Sequence, residues 1–302
     1  MKILLTTNKT YGGIPDAGQW YTYEPLLELG HEVYWYDTVD PVEKDYDKII
    51  ESFKPDLIFC CVTGNPAITP YEPWESIQRE TASGRTTTFN WFCDDTWRFE
   101  ASSQTCNSFN ISSTPEPAYV EKYKERGYNN IILATWHANS AYYRHCAFED
   151  KNIPLSFIGA MNPFRQKFFD IVDRDVEVTK IFGLSQEGLF EIYCRSIIGV
   201  NLSFNANDPE LKTQMKQRIF EVIAGQGLLV TQNHSGLEEF FEIDKEIITF
   251  ESAGEFVAKV QFLLKKPSLV KKIAENGHKR FLAEHDSKIR LAQTLEKIKE
   301  LS

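Results

Sequence analysis

The sequence lacks any run of about 18 apolar residues, so no membrane-spanning helix is expected. Its opening Met1-Lys2-Ile3-Leu4-Leu5 gives way to Thr6, Thr7 and Asn8 before a signal-peptide core could form, and the expected location is the cytoplasm. Its six cysteines (Cys60, Cys61, Cys93, Cys106, Cys146, Cys194) show no C-x-x-C spacing. That argues against a disulfide framework or a zinc site, and reads as buried thiols in a reducing compartment. No H-x-x-x-H or other paired ligand spacing occurs, so no metal site is expected. Low-complexity tracts and short repeats are absent. Positive charge is scarce in one half only: residues 1–150 carry 12 Lys and Arg against 22 Asp and Glu, whereas residues 151–302 carry 21 against 21. A nucleic-acid backbone is therefore a disfavoured partner for the first half, although a local nucleotide pocket is not.

What remains is ordinary globular composition. At 302 residues, 42% hydrophobic and 25% charged, the chain has the length of roughly two domains. Short apolar runs at Lys2 to Thr6, His31 to Tyr36, Leu57 to Val62, Thr87 to Cys93, Ile111 to Ser113 and Ile131 to Thr135 alternate with helical spacings such as Trp20 to Leu29 and Ala118 to Arg126. That alternation predicts a parallel sheet covered on both faces, a Rossmann-like domain over residues 1–150. A second α/β series begins at Leu155 and continues through Val176 to Phe182, Ile197 to Leu202, Gly227 to Thr231 and Ile247 to Phe250, giving a second domain over 151–285. The polar, proline-ended segment Phe148 to Pro154 is the expected linker. Residues 286–302 place Ile289, Ala292, Leu295 and Ile298 at steps of three on an amphipathic helix that is expected to pack back on the first domain.

The stretch Lys216-Gln217-Arg218-Ile219-Phe220-Glu221-Val222-Ile223-Ala224 carries the most chemistry. A helix beginning near Thr213 would set Lys216 and Arg218 in its first turns, where free N–H groups and the dipole already favour an anion such as a diphosphate. Glu221, three residues after Arg218, would accept hydrogen bonds from vicinal sugar hydroxyls; an Arg218–Glu221 ion pair on a solvated face is the competing reading. In the first half, Gly12-Gly13 makes a turn after the first strand. Asp94 and Asp95 end a buried strand, where ligands of open α/β sheets bind, and one of them is a candidate acid or base while the other caps the following helix. His137 follows the last strand of that half as a secondary catalytic candidate, and His234 adjoins the Ser235-Gly236 turn. Trp20, Tyr21, Tyr23, Trp35, Tyr36, Trp74, Trp91 and Trp97 concentrate rings in the first hundred residues, for the core or for an acceptor platform.

The pattern Lys216-x-Arg218-x-Phe220-Glu221-Val222-x-Ala224-x-Gln226-x-Leu228-Leu229-Val230-Thr231, followed by Ser235-Gly236-Leu237-Glu238-Glu239-Phe240-Phe241 and Lys245-Glu246-Ile247, resembles the CgeB-like branch of the group 1 glycosyltransferases. The resemblance continues in Phe157-Ile158-Gly159 with Arg165, in Gly183 to Tyr193, and in His278 to His285 with Arg290, and so covers roughly residues 85–295. It implies a GT-B architecture of two Rossmann-like domains facing across a cleft. The nucleoside diphosphate sugar, of UDP or GDP type, would lie mainly on the C-terminal domain and the hydroxyl acceptor mainly on the N-terminal one, with no cofactor besides that co-substrate.

Carried over residue by residue, the resemblance implies that Arg165, Lys216 and Arg218 neutralise the diphosphate in place of a metal. Glu221 would bind the ribose diol, and Gly183 would lie at the base. Gly12, Gly13, Gly159, Ser235, Gly236 and Leu237 would let backbone approach the donor. The wider clan pairs its ribose glutamate with a second one eight residues earlier; here that position is Thr213. The expected activity is metal-independent, retaining sugar transfer. A nucleotide-sugar epimerase, a phosphorylase, or a non-catalytic nucleotide-sugar or glycan-binding protein on the same fold are the alternatives.

Overall fold

The computed structural model describes residues 1–143, 147–204 and 212–302, so Cys146 lies outside the described residues. Strands in chain order are β1 (Lys2–Thr7), β2 (Thr10–Tyr11), β3 (Ile14–Pro15), β4 (Glu32–Asp37), β5 (Leu57–Cys60), β6 (Thr87–Trp91), β7 (Ile111–Thr114), β8 (Ile131–Leu133), β9 (Ile153–Ile158), β10 (Thr179–Ile181), β11 (Ser196–Asn201), β12 (Leu228–Gln232) and β13 (Ile248–Phe250). The α-helices are α1 (Glu24–Glu28), α2 (Tyr46–Phe53), α3 (Trp74–Ser83), α4 (Asp95–Thr105), α5 (Pro117–Glu125), α6 (Pro163–Val172), α7 (Gln186–Arg195), α8 (Gln217–Ala224), α9 (Ala253–Leu264), α10 (Pro267–Arg280) and α11 (Ser287–Leu301). The chain divides into two compact units, Met1–Thr135 with Ser287–Ser302, and Trp136–Asp286. Residues 148–154 hold a short 3-10 turn and the start of β9.

The first unit is a six-stranded parallel sheet in the order β4-β1-β5-β6-β7-β8. Strand periodicity of two sends alternate side chains of β1 to opposite faces, and both faces are buried. Ile3 and Leu5 join Leu26 of α1 and Leu291, Leu295 and Ile298 of α11, while Leu4 joins Ile49 and Ile50 of α2, Ile77 of α3 and Tyr123 of α5. The buried face of α11 is Ser287, Leu291, Thr294, Leu295 and Ile298, and Ala292 is exposed. Steps of three lose about 60° each on a helix of 3.6 residues per turn, so the expected row from Ile289 through Ala292 drifts off the face, whereas mixed steps of four and three stay on it.

The second unit is a five-stranded parallel sheet, β10-β9-β11-β12-β13, whose core gathers Phe157, Phe169, Val200, Val230, Phe250 and Phe256. Helix α8 starts at Gln217, four residues later than the sequence suggested. The preceding segment is extended instead: Thr213 bridges Phe204 in antiparallel fashion and Gln214 N–H donates to Ser203 O at 3.0 Å. Similarly, β10 keeps only Thr179–Ile181 of the expected Val176 to Phe182 run, although Val176 and Val178 are buried.

Candidate functional site

In the second unit the site is assembled at the ends of β9 and β11. Asn162 caps α6, its Oδ1 accepting Phe164 N–H at 3.1 Å and Arg165 N–H at 3.0 Å, and Pro163 fills the first helical position where no N–H is needed. This fixes Arg165 in the first turn. Arg218, in the first turn of α8, reaches back so that Nε donates to Ile158 O at 2.7 Å and Nη1 donates to Asn201 Oδ1 at 3.1 Å. Both guanidiniums lie over the buried Phe157 ring, Arg165 at 5.4 Å and Arg218 at 4.9 Å from its centroid. Arg165 Nη1 donates to Ala160 O at 2.6 Å, and its buried Nε has no partner. Burial, with the neighbouring Arg218 charge, pulls the Arg165 guanidinium down from 12.5 to about 10. Neither arginine has a carboxylate partner among the described residues.

Gly159 sits between the two cations. A Cβ there would fall 2.5 Å from Arg218 Nη2 and 3.4 Å from Arg165 Nη1, so only glycine leaves both guanidiniums where they are. Lys216 stands at the N-cap position of α8, half-buried. Glu221 lies one turn beyond Arg218 and is buried; its charge, after burial itself, pushes the Tyr193 hydroxyl above its usual range while Arg218 pulls it back, which places the three groups together. Two contributors escaped sequence reasoning: Phe157 as the platform, and Asn201, whose buried amide also donates to Ser203 Oγ at 3.1 Å and Thr231 Oγ1 at 2.9 Å. A polar residue closing an apolar strand was the available signal for Asn201.

The other expected contributors lie elsewhere in the second unit. Gly183 has φ +74° in the exposed turn after β10, ahead of Ser185, whose side chain caps α7. At Ser235-Gly236-Leu237, Gly236 N–H donates to Glu238 Oε2 at 3.2 Å, Leu237 N–H donates to His234 O at 3.2 Å, and the Leu237 side chain is fully buried. The chain's own turn and carboxylate occupy those donors, leaving exposed Ser235. His234 is buried, and its Nδ1 is 3.1 Å from Thr213 Oγ1. His137 is also buried, and its carbonyl accepts a hydrogen bond from Gln217 Nε2 at the start of α8.

In the first unit, Gly12 and Gly13, with φ +58° and +80°, form the tip of the β2-β3 hairpin. Asp94 and Asp95 part company. Asp94 holds the N-cap position of α4 without a side-chain cap bond, and lines a pocket of about 160 Å³ with Thr63, Gly64, Cys93 and Arg98. The loop opposite is pinned by Glu72, which accepts the N–H groups of Thr63 and Gly64, each at 2.8 Å. Asp95 is 0% exposed, so of the two carboxylates only Asp94 lines a pocket. Its Oδ1 accepts from Tyr123 OH at 2.9 Å, and burial raises its carboxyl from 3.8 to about 7. The register of α4 turns the first helical side chain inward, which no property of two adjacent aspartates announces. Five cysteines are free thiols, with Cys60, Cys106 and Cys194 buried. Among the described residues no three His, Cys, Asp or Glu side chains converge as a metal site, and no helix is long and apolar enough to cross a membrane.

Residues 147–296 match the family described as Glycosyl transferase-like. No curated protein matches the chain. Among solved structures, the chain resembles a glycosyltransferase from Rickettsia africae ESF-5 at 14% identity and TM-score 0.67, with 99% of this chain and 98% of that chain covered. It resembles Alr3699/HepE of Anabaena in complex with UDP-glucose at 11% identity and TM-score 0.69, covering 99% and 100%. A sucrose-phosphate synthase from Thermosynechococcus elongatus follows at 12% identity and TM-score 0.66, covering 100% of both. At these identities the likeness is one of fold. The chain has the GT-B architecture, two Rossmann-like units of parallel sheet flanked by helices.

Proposed function

We propose that the protein is a glycosyltransferase of the CgeB-like branch that moves a sugar from a nucleoside diphosphate sugar to a hydroxyl acceptor, without a metal and with retention of configuration. The observation that carries this reading is the pair Arg165 and Arg218, two cations stacked on one ring beside a glycine that leaves room for both. Like charges brought together this way favour a dianionic ligand, and a diphosphate leaving group needs such stabilisation as its bond to the sugar breaks. Lys216 adds a third cation at the head of α8, and Glu221 accepts the ribose hydroxyls. Asp94, rather than the sealed Asp95, orients the acceptor hydroxyl from its pocket in the first unit; His137 serves α8 through Gln217. The Alr3699/HepE complex with UDP-glucose supports UDP as the first nucleotide to try.

A thermal-shift panel of UDP, GDP, ADP, TDP and CDP tests the donor site. A ligand at 100 times its dissociation constant adds about 2.7 kcal/mol to folding, so the fitting nucleotide should raise Tm visibly. No shift with any of the five would refute the assignment. A second reading, nucleotide-sugar binding without chemistry, draws on Thr213, whose hydroxyl sits against His234 where the wider clan has a carboxylate. Slow release of free sugar from the donor marks a transferase, and none over hours marks the binder. Turnover independent of any hydroxyl acceptor would instead point to an epimerase or phosphorylase.

A further inference from the structure

Strand β4 (Glu32–Asp37) forms one edge of the first unit's sheet and pairs only with β1. Glu32 N–H donates to Met1 O at 3.0 Å and Thr38 N–H to Thr7 O at 3.3 Å, so the even-numbered residues turn their backbone groups inward. In a parallel ladder the alternate residues must then face outward. The N–H and C=O groups of Val33, Trp35 and Asp37 accordingly line the free edge, with no hydrogen-bond partner among the described residues.

A groove of about 530 Å³ follows that edge, with β4 residues 33–37 as its floor, Gln19 and Tyr23 on one wall, and Pro41, Val42 and Glu43 on the other. Val42 is 102% exposed. Edges are ordinarily blunted by lysine, proline or a bulge, and Glu-Val-Tyr-Trp-Tyr-Asp has none of these. The ring faces are already used: Lys9 Nζ lies 5.4 Å from the Trp35 ring, Tyr23 packs on Trp35 at 4.9 Å, and Tyr34 packs on Phe53 at 5.8 Å. A stacked sugar is therefore a poor occupant, whereas backbone groups are available to an added strand.

Charge selects the strand. Glu32 and Asp37 end β4, and Asp40 and Glu43 follow along the same groove; Glu32 is met by Lys2 at 3.7 Å and Glu43 by Lys48 at 2.5 Å, and Lys9 is the one lysine among the described residues of the lining, so Asp37 and Asp40 supply the acidic excess. Antiparallel pairing of two copies about Trp35 would set Glu32 of each beside the Asp37 to Asp40 segment of the other, like charge against like. We propose that the free edge of β4 binds an extended basic peptide segment of another protein as an added strand.

The test uses the full chain and a capped seven-residue peptide of alternating valine and lysine. Its counterparts carry glutamate for lysine or N-methyl groups on alternate amides. The basic peptide should bind and slow amide exchange at Val33, Trp35 and Asp37, with at least about tenfold weaker binding for both counterparts. Val33→Pro removes one outward N–H without touching the bonds to β1, and should abolish binding while leaving nucleotide binding unchanged. The exposed pair Glu32→Lys and Asp40→Lys keeps the backbone intact and should shift preference to the acidic peptide. Equal binding of all three peptides, or none of the basic one, overturns the proposal. So does a dimer of the chain that Val33→Pro dissolves, or a maltooligosaccharide that protects the same amides.

Discussion

At the end of β9 in the second unit, two guanidiniums share one ring; at the end of β6 in the first, the carboxyl of Asp95 is closed off under Tyr123. Both are ionisable groups at a strand-to-helix junction of a Rossmann-like unit, and they meet burial differently. The arginines keep their charge by lending N–H groups to carbonyls and ring faces while staying partly open, a state that an anion would relieve. Asp95 lowers its cost by holding a proton, and so serves the core. Position in the fold nominates a site; how the charge is compensated decides whether a ligand is wanted.

The comparison can be broken first at Asp95. Its carboxyl titrates near 7 when folded against 3.8 ordinarily, so the folded chain binds the proton more tightly. Its contribution is complete below about pH 3.8 and is lost as pH rises through 7, a difference on the order of 4 kcal/mol. Denaturant titrations of wild type and Asp95→Asn between pH 4 and 8 should show this slope in wild type alone. An equal slope in both would mean that Asp95 is charged in the folded state. Next in size, Arg218→Ala should weaken binding of the stabilising nucleoside diphosphate by about 2–3 kcal/mol and that of the nucleoside little. Equal losses in calorimetry would remove Arg218 from the phosphates.

Glu221→Ala should cost about 1.5 kcal/mol against the ribonucleotide and nothing against its 2′,3′-dideoxy form. A full loss with both would take the ribose role away. Smallest is Gly159→Ala, where Arg218 must move off a contact of 2.5 Å; about 1 kcal/mol of diphosphate affinity should go with little change in Tm. Unchanged affinity would show that the placement of the arginines is not critical.

The alternation of short apolar runs with helical spacings was enough to give the α/β class and most strands, because parallel strands buried on both faces read as continuous hydrophobic runs. Cationic candidates at the head of α8 were visible too. The meeting of Arg165 with Arg218 was not legible from spacing, since they are far apart in the chain and joined through Phe157, Ile158 O and Asn201. Nor was the start of α8, because Thr213 and Gln214 are held extended by the 203–204 segment, a tertiary choice over a neutral local preference. Asp94 and Asp95 are alike as letters, and only the register of α4 separates a pocket residue from a core one.

Helix α11 gives the first unit three of its buried apolar side chains, yet it is translated after the whole of the second unit. A nascent chain on the ribosome must therefore hold Ile3, Leu5 and Leu26 with one face uncovered until Leu291, Leu295 and Ile298 emerge. The second unit, continuous from Trp136 to Asp286, can close first. Synthesis order and completion order are thus reversed, and the N-terminal half is the one whose apolar surface stays exposed longer during translation.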